Sequence, residues 1–314
     1  FNAGEKFDFS QFDYEVPVGQ SGFKAFASAS RLEFEIGKEL KTNPVSLGNA
    51  DTIEVGVKYP IQRTNNQSVF LKTSIEKKEI YNETTGVLTN DKKLENAKIG
   101  FDFEGKNIFQ DSSLTGVSVS GIFGDLDLSK VNSDYLNDQR ANGPKTHGDF
   151  NKVVLDFYHI HKFTDKINFK YYGSLQHASK NLDSSEKFSL GGVSGVRAYP
   201  SGEASGDEGH KLSFEVQYDL SKPDMDFDLI GTLFYDYGKI RQYKDSSNIT
   251  LTTPNEYSLS GWGVSFDLIA NERVKLNLGW AQAIGDNDGQ SASGNNSDGR
   301  GGSSRAWFQV VFRF

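Results

Sequence analysis

The chain has no cysteine, a single methionine and no run of 18 apolar residues. The lack of an apolar run excludes a transmembrane helix. The lack of cysteine leaves the redox compartment open, although a protein of the cell envelope tolerates this composition well. Positive charge is also in short supply, since 34 Lys and Arg face 42 Asp and Glu for a net charge of −8. This acidic balance argues against a nucleic-acid partner.

The chain is rich in aromatic residues, and in many stretches apolar and polar residues alternate with a period of two. It contains 24 Phe and 13 Tyr, and apolar residues alternate with polar ones over 97–104, 212–219 and 274–281. This period is typical of β-strands with one apolar face. We find no convincing helix of more than a turn or two, so the sequence predicts an all-β fold.

One-sided alternation has two interpretations. A soluble sandwich buries its apolar face against a second sheet, whereas a membrane β-barrel turns that face to lipid and keeps a polar lumen. Strands of roughly ten residues or more, charged residues in mid-strand and connections of alternating length favour the barrel. We therefore predict a transmembrane antiparallel β-barrel over 1–314, in contact with the lipid bilayer.

The patterning predicts about thirteen strands and six long loops, and the long loops would share the extracellular side. The strands are expected near 6–17, 22–36, 50–60, 67–80, 94–105, 113–125, 148–161, 166–178, 209–220, 228–239, 256–270, 272–284 and 304–314. The long loops are expected near 37–49, 82–93, 126–147, 181–208, 240–255 and 285–303.

The last predicted strand is aromatic and places Phe312 and Phe314 on one face. This ending resembles the signal by which bacterial outer-membrane barrels are delivered to their assembly machinery. The alternative is an ordinary edge strand.

The most distinctive stretch is the glycine-rich loop FSLGGVSGVRAYPSGEASGD, residues 188–207. Its single arginine is surrounded by apolar residues, and a guanidinium in such a place needs a carboxylate or carbonyl partner. We interpret the loop 188–208 as a latch that folds inward onto the rest of the molecule. Its central residues are Gly191, Gly192, Val196, Arg197, Ala198, Tyr199 and Pro200.

This loop resembles the signature of the TpsB transporters of two-partner secretion, the type that exports haemolysins and filamentous haemagglutinins. The related BamA-type insertases have a glycine where this chain has Ala198, and the Tyr-Pro-x-Gly-Glu-Ala extension favours the TpsB branch. The resemblance implies a sixteen-stranded barrel preceded by POTRA domains and a plug helix. By that count the chain is expected to lack the POTRA domains, the plug helix and the first three strands.

The segment Phe234-x-Asp236-x-Gly238 resembles the family motif whose acid meets the loop arginine inside the barrel. The resemblance therefore implies a lumenal pair of Arg197 and Asp236, with Phe234 as a shield and Gly238 leaving room for close approach. Glu215 and Asp219 on the neighbouring strand are alternative partners. A solvated Arg197 on an external loop is the remaining possibility.

The resemblance implies a pore in the bacterial outer membrane that translocates a large, unfolded secreted partner, a TpsA-type exoprotein. A BamA-like insertase and a passive porin are the alternatives. The sequence contains no Gly-x-Ser-x-Gly nucleophile motif. No spacing selects a catalytic set, a cofactor site or a metal site, so we do not expect an enzyme.

Overall fold

The computed structural model describes residues 6–36, 46–270 and 273–312. Thirteen of its strands form one antiparallel sheet, in the order β1-β2-β3-β4-β5-β6-β7-β8-β11-β12-β13-β14-β15. The bounds of these strands are β1 Lys6–Pro17, β2 Lys24–Ile36, β3 Ser46–Arg63, β4 Gln67–Thr84, β5 Val87–Lys106, β6 Ser113–Asp127, β7 Gly148–Lys162, β8 Ile167–Ala178, β11 Glu208–Asp219, β12 Phe227–Arg241, β13 Glu256–Ala270, β14 Val274–Ile284 and β15 Ser304–Phe312.

The remaining elements lie in the connections. Helix α1 spans Asn132–Gln139 between β6 and β7, and a 3₁₀ turn spans Ser184–Glu186 after β8. Two short strands, β9 Phe188–Ser189 and β10 Ser205–Gly206, pair with each other and close the base of the latch. Among the described residues, no helix is long and apolar enough to cross a membrane.

The two faces of the sheet differ as the alternation predicts. Ile75, Phe123 and Phe308 are exposed on the outer face. Polar residues such as Gln176 and Thr232 are buried on the opposite face, which the connections cover. A soluble sandwich would bury the apolar face beneath a second large sheet, and the only other sheet of the described chain is the β9–β10 pair.

The apolar core sits on the inner face, in two separate clusters. The first joins the latch to β12, β13 and β14, and contains Leu190, Val196 and Ala198 together with Phe234 and Leu259. The second joins the connection after β8 to β5, β6 and β7. Its buried members are Leu94, Leu126, Leu128, Phe150, Ala178 and Leu182.

The long loop predicted over 82–93 is wrong. Strands β4 and β5 continue through this region, and only Thr85 and Gly86 separate them, both with positive φ. The apolar alternation ends near Ile75 because outer-face positions beyond the lipid have no need to be apolar. The hydrogen-bonded ladder continues beyond that point, so the strict alternation of short and long connections does not hold.

Candidate functional site: the latch and the inner wall

The latch is a folded unit with its own hydrogen bonds. The Leu190 and Gly191 amides donate to the carbonyls of Ala204 and Glu203, at 3.1 and 3.0 Å, and the Val196 amide donates to the Leu190 carbonyl at 2.6 Å. Gly192 has a φ of +104°, a conformation that L side chains rarely adopt. These bonds hold the tip of the latch in one shape and fix the direction in which its arginine points.

The arginine of the latch binds the inner wall through all three of its side-chain nitrogens. Its Nε and Nη2 donate to the two carboxylate oxygens of Asp236 on β12, at 2.9 and 2.7 Å. Nη1 donates to Glu215 on β11 at 2.7 Å, and Nη2 also donates to the Ser213 hydroxyl at 2.9 Å. The structure therefore brings Arg197 together with Asp236 and Glu215 at once.

Asp236 is the centre of this cluster and is only 1% exposed. Besides the guanidinium, it accepts hydrogen bonds from the Arg197 amide at 3.0 Å and from the Ser213 hydroxyl at 2.7 Å. The Phe234 ring covers the guanidinium, with 3.5 Å between Cζ and the ring centroid. A buried charge is tolerated only when it is paired and fully hydrogen-bonded, and this carboxylate is both.

The other expected residues take different positions. Asp219 lies at the far end of β11, where it accepts a hydrogen bond from the Ser221 amide, and it is not among the described partners of Arg197. A side chain at Gly238 would meet Leu190 of the latch at 2.5 Å, so the room left by this glycine is used by a leucine rather than by the guanidinium. Phe312 is exposed on β15, and Phe314 lies outside the described residues.

Pro200 is buried within the latch, and Tyr199 lies near the carboxylate of Asp286 in the last loop. Burial, together with the carboxylates of Glu203 and Asp286, raises the pKa of Tyr199 to about 12, so the phenol is neutral at physiological pH. Glu203 is 2% exposed and accepts hydrogen bonds from the Asn287 side chain and the Ser297 amide, both at 2.6 Å. The loop 285–303 is thereby fastened to the top of the latch.

Sequence reasoning missed a second polar cluster, just before the latch. We name residues 181–187 the strap. Its Asp183 pairs with Lys92 of β5, and its Glu186 pairs with Lys78 of β4 and Lys152 of β7. Asp183 followed three residues later by Glu186 is a signal for the start of a helical turn, and it could have drawn attention to this segment.

The described ranges hold no group of three or more His, Cys, Asp or Glu placed to bind a metal ion. The cluster is suited to holding the latch against the inner wall, because the charged groups of Arg197 and Asp236 bind each other and other side chains of the same chain. The chemistry available to this cluster is the formation and release of charge-assisted hydrogen bonds.

Comparisons with known proteins agree with this architecture. The model of the family "Haemolysin secretion/activation protein ShlB/FhaC/HecB" matches residues 7–268. The heme/hemopexin transporter protein HuxB of Haemophilus influenzae is 27% identical over 279 residues, which are 88% of this chain and 48% of HuxB. The chain thus spans about half the length of the curated relatives that it matches.

Two solved structures show the same fold. CdiB from Escherichia coli superposes with a TM-score of 0.76 at 15% identity, covering 97% of this chain and 53% of CdiB. BamA from Haemophilus ducreyi, in a form lacking POTRA domains 1–3, gives a TM-score of 0.62 at 10% identity, covering 97% of this chain and 62% of BamA. The fold is therefore the predicted antiparallel β-barrel. The chain belongs to the ShlB/FhaC/HecB family of haemolysin secretion and activation proteins, which are outer-membrane transport proteins and not enzymes.

Proposed function

We propose that this barrel is an outer-membrane pore that translocates a large, unfolded secreted partner protein, and that the latch gates the pore. The observation that carries the proposal is the binding of Arg197 to Asp236, Glu215 and Ser213. A loop held inside a barrel of a secretion family narrows the passage. It must leave the wall, or shift along it, when an extended polypeptide passes.

The inner wall suits a passing polypeptide. Polar residues such as Asn96, Gln176 and Thr232 point inward beneath the connections, and once the connections move they can solvate a peptide backbone. Such contacts must remain weak for the cargo to leave, which is a general condition for conduction through a pore. The cargo would be a TpsA-type exoprotein, and the bilayer would contact the exposed apolar face.

We also propose that the last strand, with Phe312 and Phe314, is read by the outer-membrane assembly machinery. The exposure of Phe312 on β15 supports an accessible terminal signal. Replacing both phenylalanines by alanine should lower the amount of folded barrel in the outer membrane without changing the amount synthesised. Equal amounts of folded barrel would contradict this part of the proposal.

The proposed function is tested by secretion. The protein, at its natural length, is co-expressed with a candidate TpsA-type exoprotein from the same genome, and the exoprotein is measured in the medium. Arg197→Ala should leave the barrel in the outer membrane but reduce secretion at least about tenfold, because a latch released from Asp236 no longer holds a defined place in the passage. The matched control is Arg241→Ala, which removes an arginine that bridges Glu208 and Glu256 at 40% exposure.

Normal secretion by Arg197→Ala would overturn the gating role of the latch. A protein that secretes no such exoprotein, but passes a steady and large current in planar bilayers, would instead be a passive porin. Defective insertion of other barrels in a deletion strain would indicate an insertase.

A further inference from the structure

The strap is anchored in an apolar pocket of the inner wall. Leu182 is 2% exposed and packs with Leu94, Leu126 and Ala178, which point inward from β5, β6 and β8. Inward-facing leucines would contact water in an open lumen, and burying an apolar side chain of this size favours the covered state. The inner wall therefore contains an apolar pocket that binds the strap, and this pocket is separate from the apolar cluster that contacts the latch.

Three lysines then hold the polar residues that follow. Lys92 Nζ lies 2.7 Å from the Asp183 carboxylate. Lys78 and Lys152 each lie 2.8 Å from Glu186, one on each carboxylate oxygen. Lys152 also donates to the Glu186 carbonyl at 2.9 Å, so it binds both the side chain and the backbone of the strap.

These ion pairs differ from those on the outside of the barrel. Glu186 is 5% exposed and lies between two lysines that come from strands not adjacent in the sheet. Exposed ion pairs contribute little, whereas removing one member of a buried set leaves an uncompensated charge that strongly disfavours the closed arrangement. The strap is thus held by charges that are satisfied only while it stays docked.

The two anchored segments are continuous in the chain but reach different stretches of wall. The strap binds β4, β5 and β7, whereas Arg197 of the latch binds β11 and β12. Lys187, at the junction, binds the fully buried Asp207 at 3.0 Å and so joins the start of the connection to its end. The connection between β8 and β11 is therefore pinned at two places along the wall.

We propose that the strap is a second, independent closure of the pore, with Glu186 and Asp183 as its positioning residues and Lys78, Lys92 and Lys152 as its receptor. The inference deepens the proposed function and rests on it, because a second closure matters only in a pore that opens. Full opening then requires release of both the Arg197 cluster and the lysine cluster. Release of the strap also leaves three unpaired lysines on the lumenal wall.

The test measures each closure with its own reporter in a chain that has no cysteine. Ala178 lies beneath the strap and Ala281 in the cluster that receives the latch, and both are fully buried alanines of the wall. Each is replaced by cysteine in turn, and the rate of maleimide labelling is measured on the folded, reconstituted protein. Labelling of a buried thiol reports how often its cover lifts.

Glu186→Gln should raise labelling at position 178 at least about tenfold, because the lysine pair loses its carboxylate. Labelling at position 281 should change less than about threefold, since the arginine cluster remains intact. The matched control is Glu256→Gln, which makes the same change at a glutamate that also faces two cations, Lys239 at 3.0 Å and Arg241 at 3.3 Å, but is 46% exposed. It should leave both rates unchanged.

Conductance in planar bilayers supplies the second measurement. The variant Glu186→Gln combined with Arg197→Ala should pass at least about twice the current of either single variant, and it should favour anions because of the exposed lysines. If Glu186→Gln prevents assembly, Lys92→Met breaks the Asp183 pair alone and should also raise labelling at position 178.

An unchanged rate of labelling at position 178 in both Glu186→Gln and Lys92→Met would overturn the proposal that the strap closes the pore. So would a current in Arg197→Ala equal to that of the double variant. Neither measurement uses secretion, so loss of the proposed function and loss of the second closure are separable. A pore with two working closures that fails to export the exoprotein would refute only the choice of cargo.

Discussion

Removing the latch arginine should open the latch by an amount that can be worked from the contacts. In Arg197→Ala the carboxylate of Asp236 loses two hydrogen bonds, from Nε and Nη2, and keeps those from the Ser213 hydroxyl and the backbone amide. At 1% exposure, it becomes a buried charge without a counter-charge. Breaking a buried pair in this way costs about 3–5 kcal/mol.

This cost falls on the closed state only, because in the open state water solvates Asp236. Each 1.4 kcal/mol is about a tenfold change in an equilibrium constant, so the open population should rise by about a hundredfold to a few thousandfold. The assay is the maleimide labelling of Ala281→Cys, with Ser194→Cys, at the exposed tip of the latch, as the reporter that should not change.

Unpaired charge, rather than lost side-chain volume, should cause this opening, and a second variant separates the two causes. Asp236→Asn in the Arg197→Ala background removes the buried charge but not the cavity, so labelling should fall back by at least about tenfold. A change below about threefold in Arg197→Ala, or no recovery in the double variant, would refute the reasoning.

Two further predictions concern the outer loops. Burial would raise the pKa of Asp138, but hydrogen bonds from Thr146 and the next amide outweigh it and lower the pKa below its ordinary value of 3.8. The stabilisation that the Asp138 carboxylate contributes is therefore complete above about pH 4 and is lost as the pH falls through the lowered pKa. Hydrogen exchange at the Thr146 amide, corrected for its intrinsic rate, should accelerate when the pH falls below about 4 and should not accelerate above it. Glu203→Ala removes a charged acceptor of the Ser297 amide, so hydrogen exchange there should become about tenfold faster or more, while an unchanged rate would show that loop 285–303 is held by other contacts.

The alternation of apolar and polar residues predicted most of the fold, because every second position of a membrane-spanning strand faces lipid and has to be apolar. Strand β1 begins and ends where the pattern predicts, and the sheet contains all thirteen predicted strands in chain order. The rule applies only within the bilayer, which is why residues 82–93, at the end of β4 and the start of β5, were predicted to be a loop. A hydrogen-bonded ladder without a lipid face leaves no apolar signature.

The candidate site was only partly visible in the sequence for a different reason. Arg197 stands out because its neighbours are apolar, and its expected partner came from the resemblance. Glu186 and its lysines do not stand out, because a lumen is expected to be lined with charges in any case. Which lumenal charges meet depends on how the connection folds back, and strand periodicity contains no information about that path.

The height of the β4–β5 hairpin has a consequence for the exit from the barrel. Its longer strand has 20 residues, which at about 3.3 Å each and a tilt of about 40° rise about 50 Å, roughly twice the apolar belt of an outer-membrane barrel. The upper half of the hairpin therefore extends above the lipid on one side of the barrel. Strand β8 has only 12 residues and does not reach that height. If the proposed translocation holds, a polypeptide leaving the channel would meet this hairpin on one side, and its first folding at the cell surface would take place away from it.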